Sequence, residues 1–423
     1  MRLSVPINYV HSKVNQMAQT AVQEPSTQVH VDHRLLVLIA VVLGHAVKHV
    51  FNAGSMLILP ELKTSLGLTN TGIGTLTTTR NIFGGLINLP AGFISDRYAG
   101  QWAAVLGLTL IGVGGSMFLL GFAQNYWMAM LALVLLSVTI SFWHPPAIAA
   151  LSARYVERRG FAIAMHGMGG SIGEAVGPIL TGFLISFMVW RTVLHLSFIP
   201  AVAVGVGIYF LLRSIPARSG NTPAKEYFSG VRAALRNKNL LLVLATTACF
   251  SGSQIAIMSF LPIYAREDLG LSTKATGALV SLLQVAGIGS QPVLGYLSDQ
   301  FGRRIVLLVG FGGLALGSLM LYFTGDTGLF YLAVPLTGLF LFPMMSILLA
   351  AAMDVVGDGV QGTTVSLVFG VAIILAAGSG WLAGRIADAY GVDHVFLYAA
   401  APASAAFALT VFSSARSAIL NKA

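Results

Sequence analysis

The stretch "GYLSDQFGRR", Gly295 to Arg304, ends a long apolar run, and part of it occurs twice in the chain. The earlier copy is "GFISD", Gly92 to Asp96, which begins 203 residues before the later one. Each copy closes the second apolar run of its half of the chain. At the same spacing Gly177 corresponds to Gly380, in the fifth run of each half. This internal repeat predicts two structurally related halves.

The composition indicates that lipid is the main solvent of this chain. Hydrophobic residues make up 56% and charged residues only 9%, and the mean hydropathy is +0.81. A soluble domain carries about 25% charged residues. A helical span needs about 20 apolar residues, and the runs are too continuous for the short strands of a membrane barrel. We therefore predict an all-α integral membrane protein of twelve transmembrane helices in two pseudo-symmetric six-helix bundles, with spans near 34–60, 71–95, 102–122, 126–151, 160–186, 191–212, 239–264, 274–298, 304–324, 328–353, 360–386 and 394–413.

The positive charges are distributed unequally between the two sides of these spans. If the N-terminus is cytoplasmic, most loop cations also fall on the cytoplasmic side, as the positive-inside rule requires. The formal net charge of +9 is then a topology signal and needs no nucleic-acid partner. We expect both termini in the cytoplasm and the chain in a bacterial or archaeal plasma membrane. The outer side then keeps only Lys63, Arg191, Arg266, Lys274 and Arg385.

Polar stretches divide the chain into segments. Residues 1–33 have no apolar region of the signal-peptide type, so we read them as a cytoplasmic tail. The six-helix bundles are predicted over 34–213 and 239–413, joined by a cytoplasmic linker, 214–238, and followed by a tail, 414–423. The single cysteine, Cys249, excludes an intramolecular disulfide.

The first span carries a polar stripe, "GHAVKHVFNAG", in which His45, Lys48, His49 and Asn52 follow helical spacing. Arg80 lies at a similar depth in the second span. A charge at the bilayer centre costs about 2.5–3.5 kcal/mol, so such residues face a cavity or a partner. We predict a basic cavity that binds an anionic solute; the alternative is that Lys48 and Arg80 snorkel or pair with the acid of the fifth span. The predicted substrate-binding residues are His45, Lys48, His49, Asn52, Arg80, Gln254 and Gln284.

Glu174, in the fifth span, is the mid-span acid and the first candidate for proton coupling. A carboxyl group that alternates between a dry environment and a neighbouring cation can load and release a proton. His45 and His49 are further candidates, because imidazole titrates near neutral pH. The alternative is a static ion pair. His144 is expected to make a structural bond at a helix end, and His166 and His195 to pack or form hydrogen bonds.

The repeated loop resembles the motif of the major facilitator superfamily, Gly-x-x-x-Asp-Arg/Lys-x-Gly-Arg/Lys-Arg/Lys. In the second copy Gln300 replaces one cation; the first copy inserts a residue before Gly100 and loses the later cations. The resemblance implies that this loop latches the cytoplasmic face in the outward-open state, and the alternative is a plain topological anchor. The glycines are expected to let neighbouring helices approach. The gating residues are Gly92, Asp96, Arg97, Gly295, Asp299, Gly302, Arg303 and Arg304.

The fifth span, "GGSIGEAVGPILTG", resembles the signature of drug–proton antiporters of that superfamily through Gly173, Gly177, Pro178 and Gly182. Plain helix packing is the alternative for these residues. The longer stretch "FWHPPAIAALSARYVERRGFAIAMHGMGGSIGEAVGP" is similar to the fosmidomycin-resistance-like branch of exporters.

The resulting hypothesis is a secondary active transporter, a proton-coupled exporter of a small organic solute working by alternating access. An importer of an organic anion is the first alternative. A metal-binding protein, with His45, His49 and Glu174 as ligands, is a remote alternative that Lys48 and Arg80 oppose; a non-transporting sensor is another. The chain shows no nucleotide-binding motif and no nucleophile–base set. We therefore expect no enzyme activity, cofactor, metal or obligate protein partner, only the bilayer, a small solute and protons.

Overall fold

The computed structural model describes residues 33–97, 101–155, 159–213, 229–233, 235–325, 327–356 and 361–412. Both tails and most of the predicted linker therefore lie outside the described residues. The first half contains α1 His33–Leu57, α2 Leu59–Leu66, α3 Asn70–Arg97, α4 Trp102–Gly121, α5 Tyr126–Ser141, α6 His144–Arg154, α7 Arg159–Ile185 and α8 Trp190–Leu212. The second half contains α9 Lys238–Glu267, α10 Thr273–Phe301, α11 Arg303–Thr324, α12 Phe330–Leu341, α13 Pro343–Val356, α14 Gln361–Ala376, α15 Gly378–Tyr390 and α16 His394–Phe412.

Twelve spans follow from these helices, as the sequence predicts. In the described part of the chain, 11 helical stretches are long and apolar enough to cross a membrane. The remaining predicted span, 71–95, coincides with α3, which has 28 residues and is less apolar. Several threonines of α3 lower its hydropathy. One of them, Thr75, donates a hydrogen bond from its hydroxyl to the backbone carbonyl of Thr71.

Three predicted spans are interrupted helices, which is a correction to their description as single runs. The fourth breaks between α5 and α6, just before Pro145 and Pro146. The tenth breaks at Phe342, before Pro343, and the eleventh at Ala377, before Gly378. Proline lacks a backbone N–H and clashes with the preceding turn, which explains the first two breaks.

The glycines of α7 allow it to lie directly against two other helices. A Cβ on Gly173 would collide with the carbonyl oxygen of Ala46 on α1, and one on Gly177 would lie 2.6 Å from that of Val50. Farther along, a Cβ on Gly182 would lie 2.6 Å from the carbonyl oxygen of Thr273 on α10. Pro178 also touches α10, since its carbonyl oxygen lies 2.5 Å from the Cβ position of Gly277.

The two six-helix bundles meet where α7 packs on α10 and where α3 packs on α14 and α15. At one end of the molecule α1 ends and α3 begins, and we refer to it as the closed end. There Lys63 pairs with Glu267, and Arg266 Nη2 lies 3.3 Å from Glu61 Oε1. Both ion pairs join one half to the other and hold this end together.

Asp388 of α15 also joins the halves, because it accepts two backbone hydrogen bonds from the first turn of α3. Its Oδ1 lies 2.9 Å from the amide nitrogen of Asn70, and its Oδ2 lies 2.8 Å from that of Thr71. A helix N-terminus carries partial positive charge and unpaired N–H groups, so a carboxylate is well placed there.

We expect Asp388→Asn to loosen the closed end, because an amide carries no charge toward the helix N-terminus. The ratio of open to closed molecules should rise about fivefold, which corresponds to about 1 kcal/mol. The measurement is a spin-label distance between Phe187 and Tyr390, exposed residues of the two halves, in a Cys249→Ser background. Asp393→Asn is the control, since Asp393 pairs within its own half with His394. An unchanged distance distribution in Asp388→Asn contradicts this role.

The second copy of the repeated loop lies at the opposite end of the molecule. Gly302 adopts φ 88°, a conformation that disfavours residues with a side chain. Arg303 pairs with Asp299 and also approaches Asp354, with Nε 3.3 Å from Oδ2. Arg304 donates to the carbonyl oxygens of Thr410 and Val411 at 3.3 and 3.1 Å. The loop thereby ties α10 and α11 to α13 and α16.

The close helix approach predicted at the glycines of this motif is not observed at Gly295. A Cβ on Gly295 would meet no atom within 4 Å in the described part of the chain, so the expected close helix approach at Gly295 is wrong. In the first copy, Gly92 lies within α3 and Arg97 ends it. The side chains of Asp96 and Arg97, and residue Gly100, lie outside the described residues.

Candidate functional site

A cavity of about 430 Å³ lies between the two bundles. Residues one helical turn apart on α1, α3, α9 and α10 form its walls, because a helix presents one face to a cavity at this spacing. Its polar and charged lining includes Lys48, His49, Asn52, Arg80, Asn81, Asn88, His144, Ser171, Glu174, Ser251, Gln254, Ser259, Gln284, Gln291 and Ser346.

Three of the four residues predicted for the polar stripe of α1 face this cavity. Lys48, His49 and Asn52 line the cavity. His45 is absent from the lining; it is only 4% exposed and lies behind His49, with its Nε2 3.1 Å from that of His49. His45 therefore belongs to the layer that supports the cavity wall.

Lys48 is completely buried, with 0% of its surface exposed. Its Nζ lies 3.0 Å from Nε2 of His144, the first residue of α6. The break between α5 and α6 places this histidine opposite α1. The expectation of a structural helix-end bond for His144 is therefore wrong, since its observed partner is the lysine of another helix.

Arg80 of α3 lies beside Asn52, as their similar predicted depths suggest. The guanidinium, in a residue 7% exposed, donates to Asn52 Oδ1 and approaches Met56 Sδ at 3.7 Å. Both partners are neutral, and among the described residues no carboxylate lies within ion-pair distance of Arg80. A guanidinium has five N–H donors, so several remain for a ligand in the cavity.

Glu174 is the start of a chain of short contacts between α7 and α1. Its Oε1 lies 2.9 Å from His49 Nδ1, and His49 Nε2 lies 3.1 Å from His45 Nε2. His45 Nδ1 in turn lies 2.6 Å from the backbone carbonyl oxygen of His166. This series of contacts thus begins at the cavity, at Glu174 of α7, and ends at another residue of α7.

Three histidine rings come close enough for a common metal ion. Ligand atoms of His45, His144 and His166 all lie within 4.8 Å of one another. Both nitrogens of His45 already have partners, and the ammonium of Lys48 sits next to His144. A divalent cation fits poorly beside that charge. His166 otherwise stacks on His45, with ring centroids 3.7 Å apart, and His195 packs on Phe122 at 4.3 Å.

The second half contributes neutral amides and hydroxyls to the wall. Gln254 on α9 and Gln284 on α10, both predicted, line the cavity. The prediction missed Asn81, Asn88, Ser251, Ser259 and Ser346 as lining residues. Helical spacing from Arg80 and Gln254 could have identified two of them, Asn88 and Ser251, which lie on the same faces.

The charges on the cavity wall do not balance. Lys48 and Arg80 are opposed by a single carboxylate, Glu174, among the described lining residues. The carboxylate is engaged by His49, and neither cation makes an ion pair with it within 4 Å. The cavity is therefore suited to an additional negative charge.

Comparison with known proteins agrees with this architecture. The family model of the Major Facilitator Superfamily matches residues 41–372. The fosmidomycin resistance protein of Escherichia coli is 24% identical over 367 residues, covering 85% of this chain and 88% of that protein. A probable hexose phosphate transport protein of Chlamydia pneumoniae is 23% identical over 417 residues, covering 89% of this chain and 90% of that protein.

A solved structure shares the fold. The bacterial homologue of the human lysosomal transporter Spinster, in an inward-facing and unoccupied conformation, superposes with a TM-score of 0.74. Its sequence is 16% identical, and the match covers 90% of this chain and 97% of that one. The family match over most of the sequence, together with the two bundles around a central cavity, leads to one conclusion: this chain belongs to the Major Facilitator Superfamily and is an integral membrane transporter.

Proposed function

We propose that this protein is a secondary active transporter that exports a small organic anion in exchange for protons by alternating access. The observation that carries the proposal is Arg80, a buried guanidinium that faces the cavity with neutral partners only. A guanidinium binds carboxylate and phosphate oxygens through two parallel hydrogen bonds. Lys48 supplies a second positive charge at the same wall.

One relative supports an anionic substrate, and another supports the export direction. The name of one relative specifies hexose phosphate, an organic anion, and that of another specifies resistance to a drug. Import of an organic anion is the alternative, because the same cavity serves either direction. The halves 34–213 and 239–413 would rock about the cavity, with the closed end facing outward and both termini in the cytoplasm of a bacterial or archaeal cell. The loop at Asp299, Arg303 and Arg304 would latch the cytoplasmic face in the opposite state.

The contacts of Glu174 support a role in proton coupling. His45 Nδ1 must donate to the His166 carbonyl oxygen, because a carbonyl only accepts. A neutral His45 then has a bare Nε2, which accepts from His49 Nε2–H. His49 Nδ1 is then bare as well, yet it lies 2.9 Å from a carboxyl oxygen.

Two atoms that both bear lone pairs repel at that distance unless one of the two groups is protonated. We infer that this state holds one additional proton, on either Glu174 or His49, whose contact is an ion pair by distance and is not aligned as a hydrogen bond. The positive charge of Lys48 and the ring of His144 lie beside the pair and act on that proton. Alternating occupancy of the cavity by this proton and by an anion, in successive conformational states, would couple the two fluxes.

The test is flux in proteoliposomes that contain the purified full chain under an imposed proton gradient. Labelled hexose phosphates, glycerol 3-phosphate and small carboxylates serve as probes. We expect gradient-driven accumulation of at least one anion, and its direction separates exporter from importer. No anion flux under any gradient contradicts the proposal.

Glu174→Gln is expected to abolish gradient-driven accumulation and to retain exchange of labelled for unlabelled anion. The amide keeps the shape of the carboxyl group but does not bind and release the proton. The measurement compares accumulation and exchange in the same liposomes. Asp268→Asn is the control, because Asp268 is exposed at the closed end, and it should retain both activities. Accumulation by Glu174→Gln at the wild-type level would exclude this carboxyl as the proton carrier.

A further inference from the structure

Gln284 of α10 has a buried carboxamide without a protein partner. The residue is 1% exposed and lines the central cavity. Neither its Oε1 nor its Nε2 makes a hydrogen bond to any other described residue. A buried amide left unpaired destabilises a protein, so a group in this position points to a ligand that completes its hydrogen bonds.

Ser251 of α9, the neighbouring helix, also has a buried polar group without a partner in the described part of the chain. It is 3% exposed and lines the same cavity, and its hydroxyl has no hydrogen-bond partner among the described residues. Two residues on different helices therefore line one cavity, and each has a buried polar group without a hydrogen-bond partner among the described residues. They lie on the second half, whereas Lys48 and Arg80 lie on the first.

Gln291 shows that unpaired amides are not a general property of this wall. It lies two turns farther along α10 and also lines the cavity. Its Nε2 donates to Ser346 Oγ at 2.6 Å, and its Oε1 accepts from Ser171 Oγ at 3.4 Å. The same residue type on the same helix is thus satisfied by the protein at one position and left unsatisfied at another.

The chemistry of the missing partner follows from the two unpaired atoms. The carboxamide oxygen accepts and the NH₂ group donates. A carboxylate or phosphate matches only the NH₂ group, and an ammonium matches only the oxygen. A group that both donates and accepts, such as a hydroxyl group, matches both atoms, and a hydroxyl group also matches the hydroxyl of Ser251.

We propose that Gln284 and Ser251 form a subsite for a hydroxyl group, so that the transported solute is a hydroxylated organic anion spanning the cavity. Its charged end binds Arg80 of the first half and its hydroxylated end binds the second half. This inference rests on the proposed function, because it uses the anion site at Arg80. The hydroxyl subsite would allow the protein to discriminate between anions of equal charge.

The test compares two matched pairs of phosphates that differ in hydroxyl groups. Glycerol 3-phosphate is paired with propyl phosphate, and glucose 6-phosphate with cyclohexylmethyl phosphate. Dissociation constants are measured by titration calorimetry on the purified full chain. A site built to bind a hydroxyl group rejects an analogue without it, so we expect at least one pair to differ tenfold or more in favour of the hydroxylated member.

Variants assign that preference to the subsite. Gln284→Leu and Ser251→Ala should each reduce the ratio of the two constants about tenfold, and Gln300→Leu, at an exposed position of α10 outside the cavity lining, should leave the ratio unchanged. Gln284→Leu should also keep or raise the melting temperature, because it removes an unpaired buried amide. A lower melting temperature with an unchanged ratio would make Gln284 structural and overturn the inference.

The outcomes separate this inference from the proposed function. If phosphates bind and Arg80→Met removes that binding, but both members of each pair bind equally, only the hydroxyl subsite is wrong. If no phosphate binds, or if Arg80→Met changes nothing, the anion site fails and the hydroxyl subsite fails with it.

Discussion

Arg80→Met is expected to weaken the binding of an organic anion about 100-fold, and to stop its transport at substrate concentrations near the wild-type dissociation constant. Removing one partner of a buried, hydrogen-bonded charge pair costs about 2–5 kcal/mol, and about 2.8 kcal/mol is 100-fold. Methionine fills a similar volume, so the loss is one of charge and donors. Binding is measured by titration calorimetry with a phosphate that the wild type binds.

Two further variants test the cause of that loss. Arg80→Lys should recover part of the affinity, because an ammonium keeps the charge and lacks the forked donors of the guanidinium. Arg385→Met removes the same charge from an exposed position on α15, outside the cavity lining, and should retain wild-type binding. Equal losses in Arg80→Met and Arg385→Met would show that net charge, and not a site, governs binding.

Gly173→Val is expected to abolish transport and to destabilise the protein by about 1–3 kcal/mol or more, the usual cost of overpacking. The first atom of the new side chain would collide with the carbonyl oxygen of Ala46 and approach His49 Cβ at 2.8 Å. A backbone carbonyl cannot rotate aside as a flexible side chain can. The helix α7 would have to move from α1, which separates Glu174 from His49.

Gly167→Val is the matched control on the same helix. Gly167 is exposed, and a Cβ there would meet nothing within 4 Å among the described residues. It should retain transport and lose little melting temperature, since valine has a higher helix propensity than glycine and its Cβ meets no neighbouring atom there. Melting temperature and anion flux are measured for both. Normal flux in Gly173→Val would show that the α1–α7 contact tolerates expansion.

The part of this site that the sequence predicted lies along single helices. Helical spacing is a local property, so the stripe of Lys48, His49 and Asn52 could be placed on one face before the structure was known. The similar depth of Arg80 and Asn52 followed from the position of each residue within its span, whereas the hydrogen bond between them is known only from the structure. These predictions needed no information on how helices pack.

The part that the sequence did not predict depends on contacts between helices. His144 reaches Lys48 because α6 begins after a break, and the spacing within the fourth span does not indicate its direction. His45 shares the stripe but turns toward the carbonyl of His166. The contrast between Gln284 and Gln291 depends on which neighbour each amide meets, and both look alike in the sequence.

The closed end has a kinetic consequence. Under the proposed alternating access, each passage of a solute would require the Lys63–Glu267 and Arg266–Glu61 pairs and both bonds of Asp388 to break and re-form. Domain rearrangements of this kind take microseconds to milliseconds. Such a protein would deliver solute in single counted events and saturate when the gate movements become limiting, without a continuous aqueous path through which the membrane potential could drain.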